Sequence, residues 1–163
     1  MLVSPDADAA AARAATRARI LAHLSSHNVM TLATSAVWAA AVFYVNDGLT
    51  LYFLSSPTSR HCRDLALDAR IAATIQRDYE DWRLIRGIQL EGIVRAVAAD
   101  DEQRVRRLYG QKFPFVIAGA DPAIDKALSK IRWYEVRPRD IYLVDNSVRF
   151  GYREFLDMGV DPN

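Results

Sequence analysis

The sequence predicts a mainly β fold of the α+β class: an antiparallel, partly open barrel with helices around it. Three observations predict it. Six to eight short segments rich in β-branched and aromatic residues are interrupted by single helical patterns, without the strict strand-helix repetition of a parallel sheet. Asn46-Asp47-Gly48 stands between two of these segments and is a strong hairpin signal, since such residues tolerate the positive φ of tight turns. Finally, 163 residues with 51% hydrophobic and 25% charged side chains suit one compact core, and no repeat or low-complexity linker divides them. A small, partly open barrel decorated by helices accounts for this order with fewest assumptions.

Taken in order, the Ala-rich stretch from Asp8 to His27 favours helix, with Ile20, Leu21 and Leu24 as its apolar stripe. Residues 1–19 are expected to form a partly frayed helical extension and 20–163 the single domain. Val29–Thr34, Trp38–Val45 and Leu49–Leu54 read as strands. Ser56-Pro57 reads as an N-cap followed by proline, opening a helix that runs to about Asp68. Arg70–Gln76 and the long Arg83–Val97 are further strands. Asp100 and Gln103 resemble a capping pair for a helix ending near Lys112, and Asp121-Pro122 repeats the cap-then-proline pattern before Ile124, Ala127, Leu128 and Ile131. Trp133–Val136, Ile141–Val144 and Ser147–Phe150 read as short strands, broken by Pro138-Arg139-Asp140 and Asp145-Asn146.

Charge and cysteine content narrow the function. A formal net charge of +1 supplies no uniform attraction to nucleic acid or anionic membrane, so neither is an expected partner. The cations are 18 Arg against 3 Lys, a bias that suits phosphate binding but also follows from base composition. Cys62 is the only cysteine, so no intrachain disulfide is available and a cysteine-built metal centre is disfavoured. Met1 to Ala15 lacks a basic-then-apolar signal, and a cytoplasmic location is expected. The 19 uncharged residues Asn28 to Asn46 are long enough for a membrane helix, but the terminal hairpin signal makes two strands the better reading.

Familiar catalytic patterns are missing. His23 and His27 lie four apart without the intervening glutamate of a metalloprotease, and no Gly-x-Ser-x-Gly elbow or Gly-rich phosphate loop occurs. No catalytic residue or metal ligand is assigned. The informative segment is Ser55-Ser56-Pro57-Thr58-Ser59-Arg60-His61, where hydroxyls and two potential cations meet at a strand-to-helix junction. Unpaired N–H groups and the helix dipole favour an anion there. A cation in the first turn is disfavoured by about 0.3 to 1 kcal/mol unless something negative sits beside it. A solvated turn with Arg60 paired to Asp64 explains the same spacing equally well.

Thr31-Leu32-Ala33-Thr34, the apolar strand ending at Asn46-Asp47-Gly48, Tyr52-Phe53-Leu54, and Ser59-Arg60-His61 before the Ile71–Ile75 strand resemble the FMN-binding split-barrel superfamily in order and spacing. Pyridoxamine 5'-phosphate oxidase is its best-known enzyme. Leu84 to Gly92, Tyr109 to Pro114 and Asp145 to Gly151 are more similar to an uncharacterised bacterial branch, and the resemblance spans about Ile20 to Phe155. It implies an antiparallel split β-barrel and a homodimer with cofactor sites at the interface. It further implies that Ser59, Arg60 and His61 hold the FMN phosphate, and that Ala39, Ala40 and Val42 lie along the isoalloxazine ring. Leu54 and Ser55 would close the other side, and Gln89 would donate to a flavin edge from the opposite subunit. Trp38, Phe43, Phe113, Phe115 and Trp133 are the candidate interface aromatics.

Departures from the oxidase pattern also carry information. The third phosphate position, often lysine, is His61; the family glutamine falls at Gly87; and no histidine follows His61, whereas the oxidases end in Arg-x-His. The expectation is therefore an FMN-dependent oxidoreductase or reductase on a small substrate, with NADH or NADPH as hydride donor, and not a true pyridoxamine-phosphate oxidase. A deazaflavin in place of FMN fits the same residues. The alternative is a non-catalytic flavin- or haem-binding storage or sensor module.

Overall fold

The structure is a computed structural model that describes residues 5–116 and 122–158. The proposed cap at Asp121 lies outside the described residues. The elements are α1 (Pro5–Ser26), β1 (Val29–Thr34), β2 (Trp38–Asp47), β3 (Thr50–Ser55), α2 (Arg60–Leu67), β4 (Arg70–Gln76), β5 (Arg86–Ala96), α3 (Ala99–Lys112), α4 (Pro122–Leu128), β6 (Arg132–Asp145) and β7 (Arg153–Asp157). The strands pair antiparallel in the order β3-β2-β1-β4-β5-β6-β7, and a further β3–β6 pairing closes six of them into a barrel. The predicted class, mainly β with peripheral helices, is the observed one.

The barrel closes because β6 divides its free edge between two partners. Arg132–Val136 pair with β3, Asp140–Val144 pair with β7, and the opposite edge follows β5 throughout. Pro138, which has no N–H to give, falls in the gap between those partners. It therefore interrupts neither ladder, and one strand runs where the sequence predicted two. Opposite it the β5 register shifts at Glu91/Gly92, and Gly92 packs against the β6 backbone.

Strand alternation builds the core. Met30, Leu32, Leu51, Phe53, Ile75, Ile88 and Ile141 are fully buried inside the barrel, and Ile20 and Leu24 of α1 join them. Full burial of such a side chain contributes about 1.5 to 3 kcal/mol, which seats the end of α1 on the barrel. Polar bonds fix its angle: the Tyr44 hydroxyl donates to Leu24 O (2.7 Å), His23 Nε2 lies 2.9 Å from Ile75 O, and Glu154 of β7 accepts from Thr16 and pairs with Arg19. A second cluster outside the barrel packs Val105, Tyr109 and Phe113 against Val45, Tyr52 and Trp133.

Local chemistry explains the other departures from expectation. α2 starts at Arg60 with Ser59 as its cap, while Pro57-Thr58 forms a turn. α3 is entered through Ala98 without a side-chain cap, and Asp100 sits inside the first turn with Asp101 and Glu102, where carboxylates favour the dipole. Arg83 and Leu84, expected in a strand, belong with Trp82 to a 3-10 turn capped by Asp81. Ser147–Phe150 is a turn, held by Asp145 accepting from Ser147 N and by Gly151 at φ +70°, so β7 begins only at Arg153.

Two outcomes are expected. A Cβ at Gly92 would stand 2.6 Å from Arg137 O, so Gly92→Ala should lower unfolding free energy by about 1 to 3 kcal/mol in urea melts. His23 stacks on His27 (centroids 3.9 Å apart), and burial holds its pKa below the ordinary 6.5. The folded state thus prefers neutral His23, whose contribution is complete above pH 6.5 and is lost as pH falls through that value toward the lower folded pKa. His23→Gln should flatten this part of the pH dependence of urea stability.

Candidate functional site

The turn after β3 gathers polar groups at the start of α2. Ser56 Oγ accepts from Thr58 N (3.3 Å), and Ser59 N donates to Ser56 O (3.0 Å), which folds the chain back before the helix. Ser59, extended at φ −63° and ψ 153°, accepts from Cys62 N through Oγ. His61 Nε2 lies 2.8 Å from Ser55 Oγ and 3.2 Å from Ser59 Oγ, and the two hydroxyls are 3.3 Å apart. Two hydroxyls and an imidazole thus converge where first-turn N–H groups lack intrahelical partners and the dipole is positive. This donor set fits a phosphate monoester.

Three arginines stand around the cradle. Arg60 stacks on Trp38, its guanidinium carbon 4.2 Å from the ring centroid, rather than pairing with Asp64. The Asp64 carboxylate instead accepts from Thr34 Oγ1 at 3.2 Å. Arg63 donates to Thr58 O (2.7 Å), and Arg132 is the register partner of Ser55 across β3–β6. Burial lowers the His61 pKa against the opposing pull of Asp64. His61 is therefore a neutral hydrogen-bonding group at neutral pH, and the positive charge near it is that of the arginines.

The remaining candidates divide between the two faces of the sheet. Ala39 pairs with Ala33 and faces outward, whereas Ala40 and Val42, opposite the buried Leu32 and Met30, turn toward the interior. A ring laid on this face would meet side chains of Ala39 and Ala41, but only backbone at Ala40 and Val42. Leu54 packs against the second hydrophobic cluster and leads into Ser55. Gln89 lies across β1 and β4, in a cleft of about 360 Å³ with Thr31, Thr74, Glu91, Tyr142 and Arg153. Ser55, Ser59 and His61 therefore come together with Arg60 beside them, while Gln89 occupies a separate part of the protomer.

Among the expected interface aromatics, Trp38, Phe43 and Phe115 are exposed, whereas Phe113 and Trp133 are 5% and 6% exposed. Phe113 and Trp133 are thus core residues of the protomer, because α3 folds over the barrel wall and Tyr109 packs between them. Sequence reasoning missed Arg132, Tyr142 and Arg153. For Arg132 the local sequence holds no signal, since only barrel closure brings it to Ser55. The strand alternation around Tyr142 was a usable signal that it faces outward.

A closed antiparallel barrel with a polar cradle at the β3–α2 junction defines the split-barrel, pyridoxamine 5'-phosphate oxidase-like class of proteins. Residues 16–145 match the family described as Pyridoxamine 5'-phosphate oxidase, and the chain belongs to it. Within that family it falls in the branch of the UPF0306 proteins: the UPF0306 protein of Klebsiella pneumoniae subsp. pneumoniae is 34% identical over 141 residues, covering 83% of this chain and 89% of the relative. Among solved structures, a heme binding protein from Mycobacterium smegmatis superposes with TM-score 0.66 at 19% identity, covering 96% of this chain and 60% of the other. HutZ, the heme storage protein of Vibrio cholerae, does so with TM-score 0.60 at 15% identity, covering 74% and 88%. These two share the fold. Among the described residues no helix is long and apolar enough to cross a membrane, and no three potential metal ligands of the His, Cys, Asp or Glu type cluster.

Ser59→Ala removes both the helix cap and one wall of the cradle. It should cost about 0.5 to 2 kcal/mol in thermal or urea unfolding, with the secondary structure of the remaining fold unchanged by circular dichroism.

Proposed function

We propose that this chain binds FMN through the β3–α2 cradle and works as a homodimeric flavin-dependent oxidoreductase on a small substrate. The observation that carries the reading is the convergence of Ser55, Ser59 and His61 at the start of α2, with Arg60 and Arg132 beside them. FMN, when bound, supplies the two-electron chemistry, with NADH or NADPH as the hydride donor. The chain's own residues bind and orient. Ser59 and His61 offer hydrogen bonds to the phosphate, Arg60 adds charge after leaving Trp38, and Ala39 gives the ring a flat neighbour that a larger side chain would obstruct. Leu54 and Ser55 border the cradle, and Gln89 presents an amide toward a flavin held by the other subunit.

Exposed apolar side chains support the dimer. Trp38, Phe43 and Phe115 stand at the surface, and Phe43 packs edge-on against Phe113 and Phe115. Burying them between two copies removes that area from water.

The purified protein should be yellow or take up added FMN, and its mass in solution should be that of a dimer. Arg60→Ala should weaken FMN binding at least about tenfold, and NADH or NADPH should bleach the bound flavin. A colourless protein that ignores added FMN sinks the proposal. The haem-binding neighbours motivate a second reading, non-catalytic storage or sensing, in which His61 is the candidate axial ligand. Haem uptake abolished by His61→Ala, with no reduction of flavin by nicotinamides, would favour it.

A further inference from the structure

We propose that the free edge of β7 is an interaction surface for a second copy of this chain, with the two β7 strands paired antiparallel across a two-fold axis at Phe155. Among the described residues, β7 is the one strand with a single neighbour, β6. Asp145 N donates to Tyr152 O, so Tyr152, Glu154 and Leu156 direct their backbone groups to β6, whereas Arg153, Phe155 and Asp157 turn theirs to the free edge. Helix α1 stands clear of that edge. It leaves a groove of about 530 Å³, lined by Ala12, Ala15 and Thr16 of the helix and by Tyr152, Phe155 and Leu156. No proline or bulge blunts the strand.

Charge complementarity selects the occupant. With the axis at Phe155, Arg153 of one copy falls opposite Asp157 of the other and Phe155 opposite Phe155, each pair exchanging both N–H···O bonds. An axis at Arg153 or at Asp157 sets like charge against like instead. The neighbouring strands reinforce this register. Glu91, Asp140 and Asp157 form one row across β5, β6 and β7, and the second copy adds Arg153 to the end of that acidic row. In the next row Phe155, 51% exposed and with its ring 5.0 Å from that of Tyr142, gains an aromatic neighbour. Glu154 and Leu156 face inward and are held there by Thr16, Arg19 and the core, so pairing disturbs neither. Each copy offers one such edge, so the pairing closes on itself and does not propagate. Five residues a side make a small interface, so the association is weak and depends on concentration. It does not rest on the flavin reading or on the surface of Trp38, Phe43 and Phe115.

Analytical ultracentrifugation of the full chain over about a hundredfold range of concentration tests this, and the mass should double as concentration rises. The doubling is the readout whether the smaller species is one chain or the flavin-binding dimer, so failure here is distinct from failure of that reading. Arg153→Asp and Asp157→Arg should each weaken the association at least about tenfold, and the two together should restore it. Phe155→Pro removes an N–H that β6 does not use, and should abolish the doubling regardless of charge. Circular dichroism and melting temperature establish that each variant folds. A mass that does not change with concentration, a doubling that both single charge reversals keep, or a loss that the folded double variant does not repair overturns the proposal.

Discussion

The pairing of β6 with both β3 and β7 is the constraint on which the rest of the structure depends. A six-stranded sheet closes only if its last strand meets its first, and here Arg132–Val136 make that contact. Beyond Pro138 the same strand has left β3 and carries β7. Closure seals the interior that Ile20 and Leu24 cap, and it brings Arg132 to Ser55. The exchange of partner leaves Tyr142 and Arg153 on the outer face. Gly92 permits the close backbone approach at the crossing, since any side chain there would strike Arg137 O.

Electrostatics at the cradle follow from that frame. Helix N-termini attract anions weakly on their own, and the site adds hydroxyls, a neutral imidazole and neighbouring guanidinium groups. Burial keeps His61 deprotonated, so the site avoids accumulating positive charge when empty of anion. Arg60 rests on the Trp38 ring, a contact that satisfies the cation without committing it to a carboxylate. Asp64, which helical spacing offered to Arg60, is instead engaged by Thr34 of β1. The helix is thereby tied to the barrel through a carboxylate, and the cation stays available.

The family resemblance was legible because its motifs are local: a hairpin turn, a Ser-Arg-His at a helix start, a glycine in a strand. The β1 and β4 bounds were also legible, since each alternates cleanly between buried and exposed positions. Errors arose where a local rule was overruled by a partner. Pro57 follows a plausible cap, yet Ser59 has the extended backbone and makes the bond to Cys62 N. Pro138 is a strand breaker by propensity, yet it falls between two ladders that do not need its N–H. Phe113 and Trp133 are large aromatics of the sort that interfaces favour, yet they close a second core beneath α3.

By itself the sequence determined the class of fold, the antiparallel start of the sheet and the polar segment from Ser55 to His61, because turn chemistry, period-two alternation and helix-start residues act over a few positions. Only the tertiary structure decided which distant groups join them. Arg132 reaches Ser55 through closure, Arg60 stacks on Trp38 from another element, and Gln89 shares a cleft with Tyr142 and Arg153 through the β5-β6-β7 register. The physical reason is that a side chain's face is set by its own strand, whereas its neighbours are set by which strands pair and where the barrel closes.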